Sequence, residues 1–363
     1  MASYRIGVLN GDDIGHEIVP VTVEVIKAAV KRHPGVEIEW VPLPVGYSSY
    51  LEYGNSLLQS TLDTLYELDG WILGPIGHMA YPKDPNCVNP HPILRRNYDL
   101  VSNIRPARAF PGVKCIDSRT DLVIVRENNE GFQPDRNMYR GNSECMPTQD
   151  LALSLRVITR RNSSMAARTA FELARQRNGK KKVTAIHKNT VYKLGCSLFL
   201  EACREVAQEY PDIELDTCVV DTFAMKMLMD PTKFDVIVTT NMFGDILSDE
   251  AAGLVGGLGM APGLCVGPKY CMAQATHGSA PDIAGKNIAN PFAMIMSGQM
   301  MLSWLANLKG DEAGIQAAKE IEDAMEAVLA EQKEVTPDLG GTASTQEMGG
   351  AVCRKLKETA AKL

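Results

Sequence analysis

Three arginines stand where a chain that alternates strands with helices would make its turns. Arg95 lies in Ile93-Leu94-Arg95-Arg96, Arg105 in Asn103-Ile104-Arg105-Pro106, and Arg126 directly follows the run Asp121 to Val125. A guanidinium grips a carboxylate through two parallel hydrogen bonds, so three that converged would suit a di- or tricarboxylic acid. Apart, each is a surface or ion-pair arginine. Asp245 and Asp249 are four residues apart in Gly244-Asp245-Ile246-Leu247-Ser248-Asp249 and so project from one helical face. Like charges so placed repel unless a cation offsets them, and Mg²⁺ or Mn²⁺ takes such oxygen ligands. Asp221, in Val219-Val220-Asp221-Thr222, could supply a third carboxylate. The plainer alternative is an exposed acidic first turn favoured by the helix dipole. Lys188, in Ile186-His187-Lys188-Asn189, follows an apolar strand. Near carboxylates and a metal it could move a proton; otherwise it is a surface lysine. The stretch His277-Gly278-Ser279-Ala280-Pro281-Asp282-Ile283-Ala284-Gly285 offers backbone amides, a histidine and an acid in a broken loop that could cradle a nucleotide. It is not GxGxxG, and no strand-to-helix turn of the chain carries that pattern.

The elements that must position these residues alternate in type. Tyr4 to Leu9 reads as a buried strand, Asn10 to Gly15 as a turn-rich loop, and Ile18, Val21, Val25 and Ala29 as one buried helical face. Glu37 to Leu43 and Trp71 to Leu73 are strand candidates, with a short helix over Leu57 to Leu68. Gly77 to Pro92 contains four prolines and reads as a stiffened loop. Asp121 to Val125, Val183 to Ile186 and Val236 to Val238 are apolar strands. Leu151 to Arg177 reads as largely helical, Cys196 to Tyr210 as a helix, and a further helix starts near Gly244. Such alternation predicts an open α/β sheet, whose binding residues sit in loops at strand ends.

At 363 residues the chain has room for two domains. Its 37 basic and 44 acidic side chains leave a formal charge of −7, which argues against nucleic acid or an anionic membrane as partner but not against a small anion held by local arginines. The nine cysteines include no CxxC pair, so the expectation is free thiols in a reducing cytoplasm. The first apolar run, Ile6 to Leu9, is too short for a signal peptide. Pro291 to Leu308 is interrupted by polar residues and reads as a buried helix, not a membrane span.

Taken in order, these segments resemble the β-decarboxylating dehydrogenases: the isocitrate, 3-isopropylmalate, homoisocitrate and tartrate/D-malate enzymes. Asn241-Met242-Phe243-Gly244-Asp245-Ile246-Leu247-Ser248-Asp249 and His277 to Pro291 carry the resemblance most specifically, and it extends from Asn10 to Thr342. It implies an α/β fold of two domains around an active-site cleft, of isopropylmalate-dehydrogenase type and not Rossmann. The first domain would join residues 1–100 with 256–363, and the second would span 101–255, with an intersubunit arm over about 131–148. The resemblance also implies a homodimer with shared sites, in which Lys188 and Asp221 serve the partner's cleft. Asp245, Asp221 and Asp249 would hold Mg²⁺ or Mn²⁺. Arg95, Arg105 and Arg126 would hold the substrate carboxylates, and Lys188 would assist deprotonation of the hydroxyl. NAD would lie against His277, Gly278, Ser279, Ala280, Asp282, Ile283, Asn290 and Asp338. Asp282 is the acidic residue that NAD-linked relatives set against the adenosine ribose, where NADP-linked isocitrate enzymes have lysine and then tyrosine.

Two positions depart from the family pattern. The tyrosine usual seven residues after the third arginine is Gln133 here, and glutamine has no titratable proton to give. Tyr139 is the candidate substitute. Near Arg95, the isopropylmalate enzymes carry leucines where this chain has His91 and Pro92, and isocitrate enzymes carry serine and asparagine where it has Asn89 and His91. This polar wall, with Asn89 and His91 as substrate contacts, predicts a D-malate- or tartrate-like 2-hydroxy diacid. The alternatives are 3-isopropylmalate or isocitrate as substrate, or a non-catalytic regulatory paralogue.

Overall fold

The computed structural model describes residues 2–132 and 143–360. Its strands are β1 (Ala2–Leu9), β2 (Val36–Pro42), β3 (Gly70–Leu73), β4 (Ser102–Arg108), β5 (Asp121–Glu127), β6 (Glu144–Thr148), β7 (Leu151–Ser154), β8 (Lys182–His187), β9 (Glu214–Val219), β10 (Val236–Thr239), β11 (Leu264–Val266) and β12 (Cys271–Ala273). The helices are α1 (Gly15–Val30), α2 (Gly46–Tyr53), α3 (Gln59–Leu65), α4 (Pro90–Asn97), α5 (Arg160–Arg177), α6 (Lys193–Ala207), α7 (Val220–Met229), α8 (Asn241–Leu254), α9 (Phe292–Lys309), α10 (Glu312–Glu331) and α11 (Thr345–Ala360).

Ten strands form one sheet in the order β2-β1-β3-β12-β11-β4-β5-β10-β8-β9. Strands from the two ends of the chain make up one half, and strands between residues 102 and 239 make up the other. Every residue of β3 and β10 is buried, as expected of parallel strands covered by helices on both faces. The sheet changes direction in the middle, where β4 runs antiparallel to both β11 and β5. In that pairing Asn103 faces Arg126 and Arg105 faces Ile124. Since residues two apart share a face, Asn103, Arg105 and Arg126 all project from the same side of the sheet.

The largest core packs α1, α9, α10 and α11 against this sheet, with Ile18, Ile26, Met294, Ile321 and Val352 fully buried. The apolar run from Pro291 becomes α9 and contributes eleven buried residues, which explains its composition. Among the described residues no helix is long and apolar enough to cross a membrane. All nine cysteines are free thiols.

The structure corrects three local readings. Leu151 to Arg177 is not one helix: β7 pairs antiparallel with β6, and α5 starts only at Arg160, where the Thr159 side chain accepts from the Asn162 N–H. The alternation Leu151-Ala152-Leu153-Ser154-Leu155 carried a two-residue period that the helix-forming residues beside it obscured. The loop read over Gly77 to Pro92 ends early, because Pro90 opens α4 and Asn89 caps it, accepting from the His91 N–H at 3.1 Å. Finally, α8 begins at Asn241 and not near Gly244.

Candidate active site

The front of β4 and β5, the first turns of α8 and one face of α4 enclose a polar cavity of about 480 Å³. Arg95 comes from α4, Arg105 from β4 and Arg126 from the end of β5, and all three line this space with Asn89, His91, Asn103, Asp245 and Gln274. The structure thus brings into one cavity the three arginines that spacing alone left either converging or apart. They are only 7%, 8% and 4% exposed, so each needs acceptors. Arg105 Nη1 donates to Asp245 Oδ1 at 3.1 Å and to Ser248 Oγ at 2.7 Å. Arg126 Nη1 donates to the same Asp245 oxygen, and Arg95 Nη2 donates to Gln274 Oε1 at 3.2 Å. Acceptors remain scarce: Arg95 Nε and Arg105 Nε are buried without a hydrogen-bond partner. Among the described residues, three cations face one half-exposed aspartate, with a second carboxylate 3.9 Å from Arg105, which favours an anion in the cavity. A dicarboxylate would supply the missing oxygens and charge.

Asp245 and Asp249 occupy successive turns of α8. Partial burial raises the Asp245 carboxyl, but Arg126 and Arg105 outweigh it and hold the group below the usual carboxylate range. Asp249 shifts the other way, because burial and the Asp245 charge exceed the help from Arg105. Asp221 opens α7 and accepts from Lys188 Nζ at 2.5 Å, which lowers its pKa. Neither Lys188 nor Asp221 lines the cavity. Among the described residues, no three His, Cys, Asp or Glu side chains converge on a point that could hold a metal ion. One chain thus offers Asp245 and Asp249, half-exposed oxygen donors that suit a hard divalent cation, while Asp221 sits apart with Lys188. The expected set of three aspartates is not assembled within a single chain.

A second cavity, about 420 Å³ and mostly apolar, adjoins the first. Ile14, Leu258, Ala280, Ile283 and Ile288 form its walls, and Asn290 and Asp338 supply polar atoms. Asn290 Nδ2 donates to Asp338 at 2.9 Å, and a Cβ on Gly259 would come within 3.1 Å of that same carboxylate oxygen. His277 and Gly278 line both cavities and so mark their junction. Burial holds the His277 imidazole below its usual pKa. Two expected nucleotide contacts lie outside this lining. Ser279 is buried, with its carbonyl accepting from the Ile14 N–H at 3.2 Å, and Asp282 is exposed to solvent. The apolar walls would suit the flat rings of a dinucleotide, and Asp282 is not part of the lining.

Gln133 and Tyr139 lie outside the described residues. Sequence reasoning missed Asn103, Asn241, Ser248 and Gln274. Gln274 bridges Arg95 to His91, its Nε2 lying 2.7 Å from His91 Nε2. Its one sequence signal is position, since it directly follows the apolar strand β12. Amides have no charge pattern to betray them.

The sequence model of the isocitrate/isopropylmalate dehydrogenase family matches residues 5–352. The chain is 40% identical over 358 residues to the 3-isopropylmalate/3-methylmalate dehydrogenase of Methanocaldococcus jannaschii, covering 98% of this chain and 99% of that one. It is 39% identical over 355 residues to the isocitrate/homoisocitrate dehydrogenase of Thermus thermophilus, covering 98% and 99%. The crystal structure of isocitrate dehydrogenase from Methylococcus capsulatus superposes with a TM-score of 0.84 at 39% identity, covering 98% of this chain and 99% of that one. The two-domain α/β fold of isopropylmalate-dehydrogenase type is thereby borne out. These relatives favour the isopropylmalate or isocitrate alternative over the D-malate- or tartrate-like substrate read from Asn89, His91 and Pro92.

Proposed function

Because the chain belongs to the isocitrate/isopropylmalate dehydrogenase family and is an oxidoreductase, we propose that it performs NAD-dependent oxidative decarboxylation of a 2-hydroxy dicarboxylate with a polar group at C3, isocitrate before 3-isopropylmalate. The observation that carries the substrate reading is the wall beside Arg95. His78, Asn89, His91 and Gln274 line it, and an isopropyl group there would desolvate imidazole and amide groups for little return. Membership and the retained arginines, lysine and aspartates weigh against a non-catalytic paralogue.

In this reading Arg95, Arg105 and Arg126 bind the carboxylates and orient C2 toward the junction at His277 and Gly278. Asp245 and Asp249, completed by Asp221 from a second copy of the chain, would hold Mg²⁺ or Mn²⁺, which when bound polarises the C2 oxygen. Ile14, Leu258, His277, Gly278, Ala280, Ile283, Asn290 and Asp338 in the adjoining cavity would hold NAD, which when bound would supply the hydride acceptor, and Asp282 would meet its ribose. Lys188 from the second copy takes the hydroxyl proton, and Asp221 holds that lysine in place. Gln133 cannot return a proton to C3, so that task falls to Lys188 or to water.

A homodimer is part of the proposal. Met225, Leu228 and Met229 on α7, Met242 and Ile246 on α8, and Met146, Leu151 and Leu153 on the β6–β7 hairpin are exposed apolar side chains that a second copy would cover. The halves of the sheet support domain limits at 1–100 with 256–363 and at 101–255, and the free thiols support a cytoplasmic location. The test is a screen of isocitrate, homoisocitrate, 3-isopropylmalate and D-malate with NAD and Mn²⁺, read as NADH formed and CO₂ released. Equal amounts of NADH and CO₂ from isocitrate are expected; no NADH from any of the four acids would sink the reading.

A further inference from the structure

The guanidinium of Arg126 has two donor edges, and the protein treats them differently. Nη1 is turned to Asp245, at the cavity. The other edge is given to one neutral oxygen: Nε and Nη2 donate to Asn241 Oδ1 at 2.9 and 2.6 Å. Asn241 is wholly buried, and its amide is locked by a further bond, Nδ2 donating to the Glu130 carbonyl at 2.8 Å. Turning that amide over would set N–H against guanidinium and oxygen against carbonyl, so its orientation is fixed by the partners.

The surroundings hold this grip firmly. Asn241, Gly244 and Asp245 lie three and four residues apart on α8 and share one face. A Cβ at Gly244 would stand 2.6 Å from Arg126 Cβ and 2.7 Å from Cγ, so only glycine leaves a groove for the arginine stem. The Glu130 carboxylate accepts from the Thr159 N–H at 2.8 Å and from its hydroxyl at 2.5 Å, pinning the segment whose carbonyl orients Asn241.

We propose that Asn241 is a positioning residue that clamps Arg126 without neutralising it, reserving the guanidinium charge for a carboxylate of the substrate; this rests on the reading of the cavity as a diacid site. The ordinary partner for a buried guanidinium edge is a carboxylate, which binds well and cancels the charge. Arg126 already shares Asp245 with Arg105. A second acid on its inner edge would leave little field for an incoming anion. A neutral acceptor fixes the same geometry at no electrostatic cost.

Asn241→Asp adds the missing charge: one oxygen of the new side chain can occupy the Oδ1 position and keep the grip on Arg126, while the other faces the Glu130 carbonyl without the proton that Nδ2 supplied. Binding is measured calorimetrically with Mg²⁺ and no NAD, using DL-isocitrate and malonate as probes, alongside steady-state kinetics and thermal melts. Losing a hydrogen bond to a charged group corresponds to roughly ten- to hundredfold in affinity. We expect Asn241→Asp to weaken binding of both probes at least about tenfold, with KM rising in step and kcat within about threefold, and to lower the melting temperature through the lost bond to the Glu130 carbonyl. Gly244→Ala, which pushes on the arginine stem, should depress kcat as well, since it moves the group and leaves its charge. Asn241→Asp binding both probes like wild type would overturn the proposal. Should that variant not fold, a folded Gly244→Ala protein with wild-type affinity for malonate would overturn it equally. Malonate binds without turnover, so a wild type that takes malonate but oxidises no hydroxy acid refutes the functional reading and leaves this comparison decisive.

Discussion

Glu127 immediately follows Arg126, and its side chain is buried beneath the turn that leads away from the site. Burial, with help from the nearby Glu130 charge, pushes its carboxyl from an ordinary 4.5 up to about 7. The folded protein therefore keeps a proton that the unfolded chain releases near pH 4.5. The stability from this group is complete below that pH and is lost as the pH rises through about 7. The size of that loss is about 3 kcal/mol at 1.36 kcal/mol per pH unit. Glu127→Gln mimics the protonated acid and never ionises. The Asn129 and Glu130 N–H groups donate to the two carboxyl oxygens at 2.7 and 3.0 Å; a protonated carboxyl can still accept both, whereas the amide NH₂ cannot, so Glu127→Gln carries a pH-independent offset and the readout is how the gap changes with pH. At roughly 2.1 cal/mol/K of unfolding entropy per residue, 3 kcal/mol shifts the melting temperature by about 4 °C in a chain of this length. The melting temperature of Glu127→Gln relative to wild type should therefore rise by about 4 °C between about pH 4 and pH 8.5. A gap between the two proteins that is the same at both pH values would show that Glu127 does not titrate in this range, and the burial argument would fail.

Arg105→Lys exchanges a planar fork, bonded to both Asp245 and Ser248, for a point charge. Its kcat/KM for isocitrate should fall about a hundredfold, or about 2.7 kcal/mol, and a loss under threefold would contradict the assigned role. Chelation should abolish turnover, either Mg²⁺ or Mn²⁺ should restore it, and Asp249→Asn should raise the metal concentration needed for half-maximal rate; full activity in a metal-stripped preparation would refute the Asp245 and Asp249 assignment. Asp282→Lys should narrow the preference for NAD over NADP, measured as the ratio of the two kcat/KM values. An unchanged ratio would remove Asp282 from the cofactor site.

The chemistry of the site was more legible than its scaffold. Charged side chains directly after apolar strands announce themselves, and Arg105 and Arg126 come together because one antiparallel register, Asn103 opposite Arg126, places them on one face. The joining of β3 to β12 and of β4 to β11 was invisible in advance, because these contacts lie some 160 to 200 positions apart in sequence. Pairing at such separation is set by tertiary packing, not by local preference. The β6–β7 hairpin was misread for the opposite reason. All nine of its strand residues are exposed, so its alternation had no burial to sharpen it. Asn89 shows how one residue can carry two roles: read as a substrate contact, it lines the cavity and also caps α4, which fixes His91 and Arg95 on the helix behind it. Lys188 and Asp221 were expected to serve a partner's cleft, and in this chain they pair with each other and line no part of its own cavity.

The proposed substrate carries carboxylates for Arg95, Arg105 and Arg126 and a polar group at C3 for the wall beside them. The ratio of kcat/KM for isocitrate to that for 3-isopropylmalate, with NAD and Mn²⁺ in one buffer, tests it most directly. A ratio above about ten in favour of isocitrate, at least about 1.4 kcal/mol of selective transition-state stabilisation, is the predicted result. A tenfold preference for 3-isopropylmalate would contradict it and would mean that the wall of His78, Asn89, His91 and Gln274 does not face the C3 substituent.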